Sequence, residues 1–374
     1  MATAVIEGSR EIQKDPLAIN HLDYVEFYVG NARQAAYWYQ HAFGFTPTAY
    51  RGPETGHRDA ASYLMEQGAI RFVLTTPLYS SSFAAEHVHR HGDGVRDIAL
   101  CVDDAAAAYC EAVRRGAKGV REPVSVENAD GRIVTAGIAT YGDTIHTFVE
   151  RKKYHGTFMP GFVAGPPRWT PSVGLECVDH CVGNVHLGNM CTYVDFYATV
   201  LGFRNVISFD DKDISTEYSA LMSKVMASGD GVIKFPINEP AQGRKKSQID
   251  EYLEYYGGAG VQHIALATND ILHTVRSLRQ RGVEFLDIPK TYYDDLPRRV
   301  GEIHEPVADL AQLGILVDRD EEGYLLQIFT KPVQDRPTVF YEIIQRRGAR
   351  SFGKGNFKAL FEALEREQAR RGNL

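Results

Sequence analysis

The chain has 374 residues, 44% hydrophobic and 24% charged, with a formal net charge of −7. That length exceeds one ordinary core and predicts two domains. The acidic balance argues against nucleic acid or an anionic membrane as partner, and no apolar run is long enough to span a bilayer. Residues 1–20 are polar, with Glu7, Arg10, Glu11, Lys14 and Asp15, and lack the apolar stretch of a signal peptide. The five cysteines, Cys101, Cys110, Cys177, Cys181 and Cys191, include no C-x-x-C pair. Reduced thiols and a cytoplasmic location are therefore expected, with Cys181 a small buried hydrophobe.

In chain order, Tyr24 to Val29 alternates as a strand and ends at the turn Gly30-Asn31. Ala32 to Phe43 carries apolar residues at helical spacing and stops at Gly44. Tyr63 to Gln67 and Ile70 to Thr75 form a hairpin around Gly68, followed by a serine-rich loop at Ser80 to Ser82. A second unit opens with the strand Val95 to Val102, then a helix over Ala105 to Arg115 closed by Gly116, then strands near Arg132 to Ala136 and Thr144 to Val149. Residues 156–174 crowd glycine and proline (Gly156, Pro160, Gly161, Gly165, Pro166, Pro167, Pro171, Gly174) and read as an inter-domain linker. This divides the chain into 1–155, a linker at 156–174, and 175–374.

Beyond the linker the plan repeats. Val182-Gly183-Asn184 aligns with Val29-Gly30-Asn31, and Leu201-Gly202-Phe203 with Phe43-Gly44-Phe45. Gly260-Val-Gln-His-Ile-Ala-Leu266 is a near copy of Gly94-Val-Arg-Asp-Ile-Ala-Leu100, and Thr338 to Arg346 matches Thr144 to Arg151. Four copies of one βαβββ unit, paired into two domains, account for this periodicity. On these alignments His180, His263 and Glu342 of the second half face Phe27, Asp97 and Thr147 of the first. Two imidazoles and one carboxylate inside apolar strands are costly unless something satisfies them. The set matches the 2-His-1-carboxylate arrangement of non-haem Fe(II) oxygenases. Its members lie far apart in sequence, so the fold must assemble the site. The bland readings are a core histidine at each position and a salt bridge from Glu342 to Arg346.

Two other features compete for attention. Glu86 to His91 places His87 and His91 at i, i+4 spacing but is strongly polar, and reads as a solvated helix end. Gly257-Gly258-Ala259-Gly260 leads into a strand rather than a helix, so it is a turn and lacks the helix N-terminus of a phosphate site.

Several longer runs resemble one family: Val178 to Asn184, Phe235-Pro236-Ile237-Asn238-Glu239-Pro240, Lys246-Ser247-Gln248-Ile249, Gly260 to Leu266, Gly323 to Pro332 and Phe352-Gly353-Lys354-Gly355-Asn356-Phe357. They resemble the 4-hydroxyphenylpyruvate dioxygenases, over essentially the whole chain and most closely after residue 178. The resemblance implies an α+β vicinal-oxygen-chelate fold, four βαβββ modules paired into two open β-barrel domains. It implies one Fe(II) per chain in the second barrel, on His180, His263 and Glu342. It further implies a polar pocket of Ser223, Asn238, Gln248, Gln262 and Gln327, and an aromatic wall of Phe329, Phe340, Phe352 and Phe357. Strand alternation puts Gln262 on the face opposite His263, so its place in the pocket is the weaker expectation.

The implied reaction consumes 4-hydroxyphenylpyruvate and O2, and yields homogentisate and CO2 by decarboxylation, ring hydroxylation and side-chain migration. The substrate carries its own 2-oxo acid, so no separate 2-oxoglutarate is needed. A homo-oligomer, dimer or tetramer, is expected. Phe357, Leu360, Phe361 and Leu364 form one apolar helical stripe, with Glu362–Arg366 and Glu367–Arg371 as i, i+4 pairs on the polar side. The resemblance makes this tail a lid over the pocket. The alternatives are 4-hydroxymandelate synthase, which hydroxylates the benzylic carbon of the same substrate, and a metal-free binding protein.

Overall fold

The computed structural model describes residues 15–165, 170–210, 220–241, 243 and 245–373. The polar start before residue 15, and Pro166 and Pro167 of the expected linker, lie outside the described residues.

The first half comprises β1 (Ile19–Tyr28), α1 (Ala32–Phe43), β2 (Thr46–Arg51), β3 (Ala60–Gln67), β4 (Ile70–Pro77), α2 (Phe83–His91), β5 (Gly94–Val102), α3 (Ala105–Arg114), β6 (Gly119–Asn128), β7 (Gly131–Ala139), β8 (Ile145–Tyr154) and β9 (Val163–Ala164). The second comprises β10 (Leu175–Asn184), α4 (Met190–Thr199), β11 (Arg204–Phe209), β12 (Ala220–Ala227), β13 (Lys234–Ala241), α5 (Gln248–Tyr256), β14 (Gly260–Thr268), α6 (Ile271–Gln280), α7 (Leu296–Val300), α8 (Val307–Leu313), β15 (Leu316–Arg319), β16 (Tyr324–Phe329), β17 (Phe340–Arg347) and α9 (Phe357–Arg370). One sheet runs β6-β7-β8-β5-β1-β4-β3-β2-β9 and the other β11-β12-β13-β10-β14-β17-β16-β15. Each is two βαβββ units joined back to back, through β1 against β5 and β10 against β14, both antiparallel.

Local chemistry sets the helix ends. Asn31, Asp104 and Asp270 accept hydrogen bonds from the backbones of Gln34, Ala107 and His273 and start α1, α3 and α6. Gly44 ends α1 at φ 73°, a left-handed turn that glycine adopts without strain. Gly257 likewise closes α5, and Gly260 opens β14, so the glycine run is a turn between helix and strand.

One core spans both halves. The hydroxyls of Tyr39 and Tyr341 meet at 2.6 Å, and Phe72 stacks on Tyr341. His146 of β8 donates Nδ1–H to the carbonyl of Ile98 and meets the Tyr197 hydroxyl through Nε2, both at 2.8 Å. Each sheet's other face is closed by the chain that follows its last long strand. Phe158 and Phe162 pack on the first, while Phe352, Phe357, Leu360 and Phe361 pack on the second. β9, within residues 156–174, pairs with β2 of the first sheet.

Two local expectations fail. His87 and His91 are buried, because α2 packs on α5 and His91 stacks on Tyr256 at 4.3 Å; Phe83, Glu86, His89 and Arg90 of the same helix stay exposed. The tail arginines do not make their i, i+4 pairs. Arg371 forks onto the buried Glu251 of α5, and Arg366 reaches the carbonyl of the exposed Asp287. Ser80 to Ser82 is a loop as expected, and Ser82 caps the helix α2 that follows it.

Candidate metal centre

β14 lies between β10, to which it is antiparallel, and β17, to which it is parallel. Ala265 of β14 therefore stands opposite both His180 and Glu342, and His263, two residues earlier, shares that face. All three side chains are buried, and one donor atom of each lies within 4.8 Å of the others. His180 Nε2 is 3.2 Å and His263 Nε2 3.5 Å from Glu342 Oε2. The second ring nitrogens are spoken for: His180 Nδ1 donates to Asp179 at 2.7 Å and His263 Nδ1 to Gln262 Oε1 at 3.0 Å. Such partners fix ring orientation and leave Nε2 free to ligate. Arg346 pairs with Asp179 rather than Glu342, so the salt-bridge reading of Glu342 fails.

Burial alone would raise the Glu342 carboxyl, but the imidazoles beside it hold it down at about 2, so it is ionised. Burial likewise opposes charge on His180, yet the carboxylates of Glu342 and Asp179 lift it above an ordinary imidazole. At His263 burial outweighs the pull of Glu342, and the ring is held below its usual value. An anionic oxygen facing two imidazole nitrogens in a buried site could hold a divalent cation, and the donor set fits the borderline metals that accept N and O.

These residues head a cavity of about 70 Å³, bounded by β10, β11, β12, β13, β14, β16, β17, α5 and α9. Ser223 and Asn238, opposite each other on β12 and β13, line it together with Gln248, Gln262, Phe329, Phe340, Phe352 and Phe357. Gln262 is there because of a bulge: Val182 and Gly183 of β10 face His263 and Val261, leaving Gln262 as the extra residue. The bulge breaks alternation and turns Gln262 to the side of His263. Gln327 is the exception. It is buried beneath Gly353 with no partner on Oε1, and it does not line the cavity. Leu360, Phe361 and Leu364 of α9 complete the wall, as does Val182, which strand alternation would have offered. Among the described lining residues there is no Lys or Arg.

The strand register also corrects the comparison between halves. Val95 faces Phe27 and Val261 faces Gly183; Ala99 faces Tyr24 and Ala265 faces His180. The counterpart of His180 is thus Tyr24, not Phe27. The Val-Gly-Asn runs match as letters but sit three residues apart in register. Asp97 and Thr147 keep their places opposite His263 and Glu342. In the first half these groups satisfy one another. Asp97 accepts from the Tyr24 hydroxyl at 3.2 Å, and from the Thr147 hydroxyl and the Thr147 backbone at 2.5 and 3.0 Å. Sequence reasoning missed the pair of Asp179 and Arg346; the signal was its repeat as Asp23 and Arg151, of which the match of Asp179 to Asp23 needed the right register.

Residues 13–159 match the profile described as hydroxyphenylpyruvate dioxygenase, N-terminal, and residues 178–328 match the glyoxalase/bleomycin resistance protein/dioxygenase superfamily. The 4-hydroxyphenylpyruvate dioxygenase of Yarrowia lipolytica is 49% identical over 366 residues, 94% of this chain and 93% of that protein. That of Caenorhabditis elegans is 50% identical over 364 residues, with 94% and 93% covered. The chain belongs to the 4-hydroxyphenylpyruvate dioxygenase family. A solved triple mutant of 4-hydroxymandelate synthase from Streptomyces coelicolor superposes with TM-score 0.85 at 35% identity, covering 94% of this chain and 99% of that one. The two curled mixed sheets are the glyoxalase or vicinal-oxygen-chelate fold of this dioxygenase family. Among the described residues no helix is long and apolar enough to cross a membrane.

Proposed function

We propose that this chain is an Fe(II)- and O2-dependent 4-hydroxyphenylpyruvate dioxygenase that forms homogentisate and CO2, with His180, His263 and Glu342 holding one Fe(II). The observation that carries the reading is the charge balance of the cavity. Its head holds an ionised carboxylate and two imidazoles, and its walls hold phenyl rings and neutral amides with no basic residue among those described. A 2-oxo acid entering such a site would bring a second buried anion, which needs a cation at its carboxylate end. Bound there, the metal would chelate the 2-oxo acid and activate O2.

The chain's own share is placement. Asp179 and Gln262 hold the two rings by Nδ1 so that both Nε2 atoms face Glu342. Phe340 stacks on His263 at 4.8 Å and Phe329 meets it edge-on at 6.0 Å, a fit for a flat ring beside the ligands. Ser223, Asn238 and Gln248 offer hydroxyl and amide groups to a phenol without placing a charge near the reacting carbon. Gln327, buried with no partner on Oε1, does not line the cavity. Phe352, Phe357 and α9 keep water out.

Residues 1–155 serve as a metal-free domain, 156–174 as linker and 175–374 as the catalytic domain with its lid. We take the chain as a homo-oligomer, dimer or tetramer, and the edge strand β6, exposed along its whole length, is where a second copy would fit; light scattering reads the state.

The test is anaerobic loading with Fe(II), then 4-hydroxyphenylpyruvate and O2, with the product identified by mass and chromatography. Homogentisate is expected. 4-Hydroxymandelate would move the chain to the activity of its structural neighbour, and absence of oxygen uptake would leave a binding protein.

A further inference from the structure

One side chain connects the metal ligands to the segment that covers them. Asp179, which takes the Nδ1 proton of His180, is gripped by Arg346 of β17, with Nε to Oδ2 at 2.7 Å and Nη2 to Oδ1 at 2.9 Å. The remaining guanidinium nitrogen, Nη1, donates to the carbonyls of Ser351 at 2.6 Å and Ala349 at 3.3 Å, at the root of the tail. The same guanidinium lies 5.4 Å from the Phe352 ring centroid, and that ring packs edge-on against His180 at 5.0 Å. The circuit closes on itself: His180, Asp179, Arg346, Phe352, His180. Lys234 stands by as a second cation, 3.6 Å from Asp179 Oδ1. Only the planar fork of an arginine can hold a carboxylate with two nitrogens and still donate with the third.

The first half contains the same device with Tyr24 where the second half has His180. Arg151 forks onto Asp23 with both contacts at 2.6 Å, donates Nη1 to the carbonyl of Phe158 at 2.8 Å and lies 5.3 Å from the Phe158 ring. Phe158 packs edge-on against Tyr24 at 5.6 Å. There the clamp only caps a sheet, and the Tyr24 hydroxyl is spent on Asp97. Duplication thus supplied a capping clamp, and in the second half the residue beneath it is an imidazole facing Glu342.

We propose that Asp179 and Arg346 are positioning residues that couple His180 to the C-terminal cover, so that a metal on His180 and a closed cover stabilise each other. Such coupling is reciprocal: what metal does for the cover, the cover does for metal affinity. The tail root has other tethers, Asp320 to the backbones of Arg350 and Ser351 and Asp318 to that of Gly355. None of these reaches the ligands, so breaking the clamp uncouples the cover without releasing it. The inference deepens the proposed function and rests on its reading of His180 as a metal ligand.

Hydrogen exchange across residues 350–361 of the full chain, with and without Fe(II) under anaerobic conditions, tests it, alongside Fe(II) titration. In the parent protein Fe(II) should slow exchange there. Asp179→Asn should weaken Fe(II) binding by roughly 10–100-fold, the usual effect of losing a ligand's outer partner. At saturating Fe(II) it should also lose the slowing. Arg346→Lys, which keeps the charge but not the fork, should behave alike. Arg151→Lys breaks the equivalent clamp in the first half and should leave both readouts at parent values. Fe(II)-dependent slowing that survives in Asp179→Asn and Arg346→Lys would overturn the coupling, as would its loss in Arg151→Lys. A parent protein that binds no Fe(II) would instead remove the metal reading itself.

Discussion

At the scale of single residues, the site depends on which way each ring nitrogen is turned. His263 has a neutral partner, Gln262 Oε1, where His180 has a carboxylate. Gln262→Leu keeps the volume and removes that oxygen, so Fe(II) affinity should fall by roughly 10–100-fold in anaerobic titration. Unchanged affinity would mean that the strand alone orients His263. The three ligand candidates were legible in the sequence because a polar residue in an apolar strand is costly and has to be explained. The pocket place of Gln262 came from the resemblance and against strand alternation, and the role of Asp179 was not legible, for a physical reason. Both depend on bulges that shift the register between β10 and β14, and letter-by-letter alignment cannot see a bulge. The same blindness paired His180 with Phe27 when the pairing of strands gives Tyr24.

Among the elements, α9 is the one that joins fold to chemistry. Its stripe of Phe357, Leu360, Phe361 and Leu364 was readable from spacing, and the structure lays it against the cavity. Removing residues 352–374 should abolish turnover while Fe(II) still binds; full activity in that truncation would contradict its role as a lid. A subtler change acts at the entry to the segment. Gly353 has φ 77°, and a Cβ there would press on the Gln327 amide. Gly353→Ala should therefore destabilise the cover by about 1 kcal/mol or more, seen as faster proteolysis within 350–373 and a raised KM. The hairpin strands, the strand over Val95–Val102 and the helices over Ala32–Phe43 and Ala105–Arg115 were predicted within a few residues of β3, β4, β5, α1 and α3. β2, β6, β11, β12, β13 and α5 were not, and in β6 the alternating Val120, Val124 and Val126 mark no buried face, because all of them are exposed. The strand β6 also contains Pro123, at an edge and within the register shift between Arg121 and Val124, two settings that tolerate proline.

Over the whole molecule the two halves are fastened by aromatic and imidazole contacts that no local pattern announces. His146 lies at that junction, and burial lowers it to about 4. The unfolded ring takes a proton near pH 6.5 while the folded one resists until about 4, so the unfolded state binds more protons in between. The stability His146 contributes is intact above pH 6.5 and is lost as pH falls through that window, at about 1.4 kcal/mol per pH unit and about 3 kcal/mol in all. His87, lowered to about 3 by burial, adds to the same acid sensitivity. His146→Gln keeps a donor and an acceptor but cannot titrate, so denaturant unfolding at pH 7 and 5 should show a shallower loss than in the parent. An equal loss would mean that His146 is not the titrating group.

The duplicated plan was readable at this scale from repeats alone, whereas the division of labour needed the register. One half closes its Tyr24–Asp97–Thr147 cluster with its own hydrogen bonds, and the other leaves His180, His263 and Glu342 facing one another. That contrast is tested most directly by anaerobic Fe(II) titration of the parent chain beside Glu342→Ala. One Fe(II) per chain in the parent, with binding lost or weakened beyond roughly 100-fold in the variant, is the predicted result; equal binding by the two proteins would contradict the assignment of the metal centre.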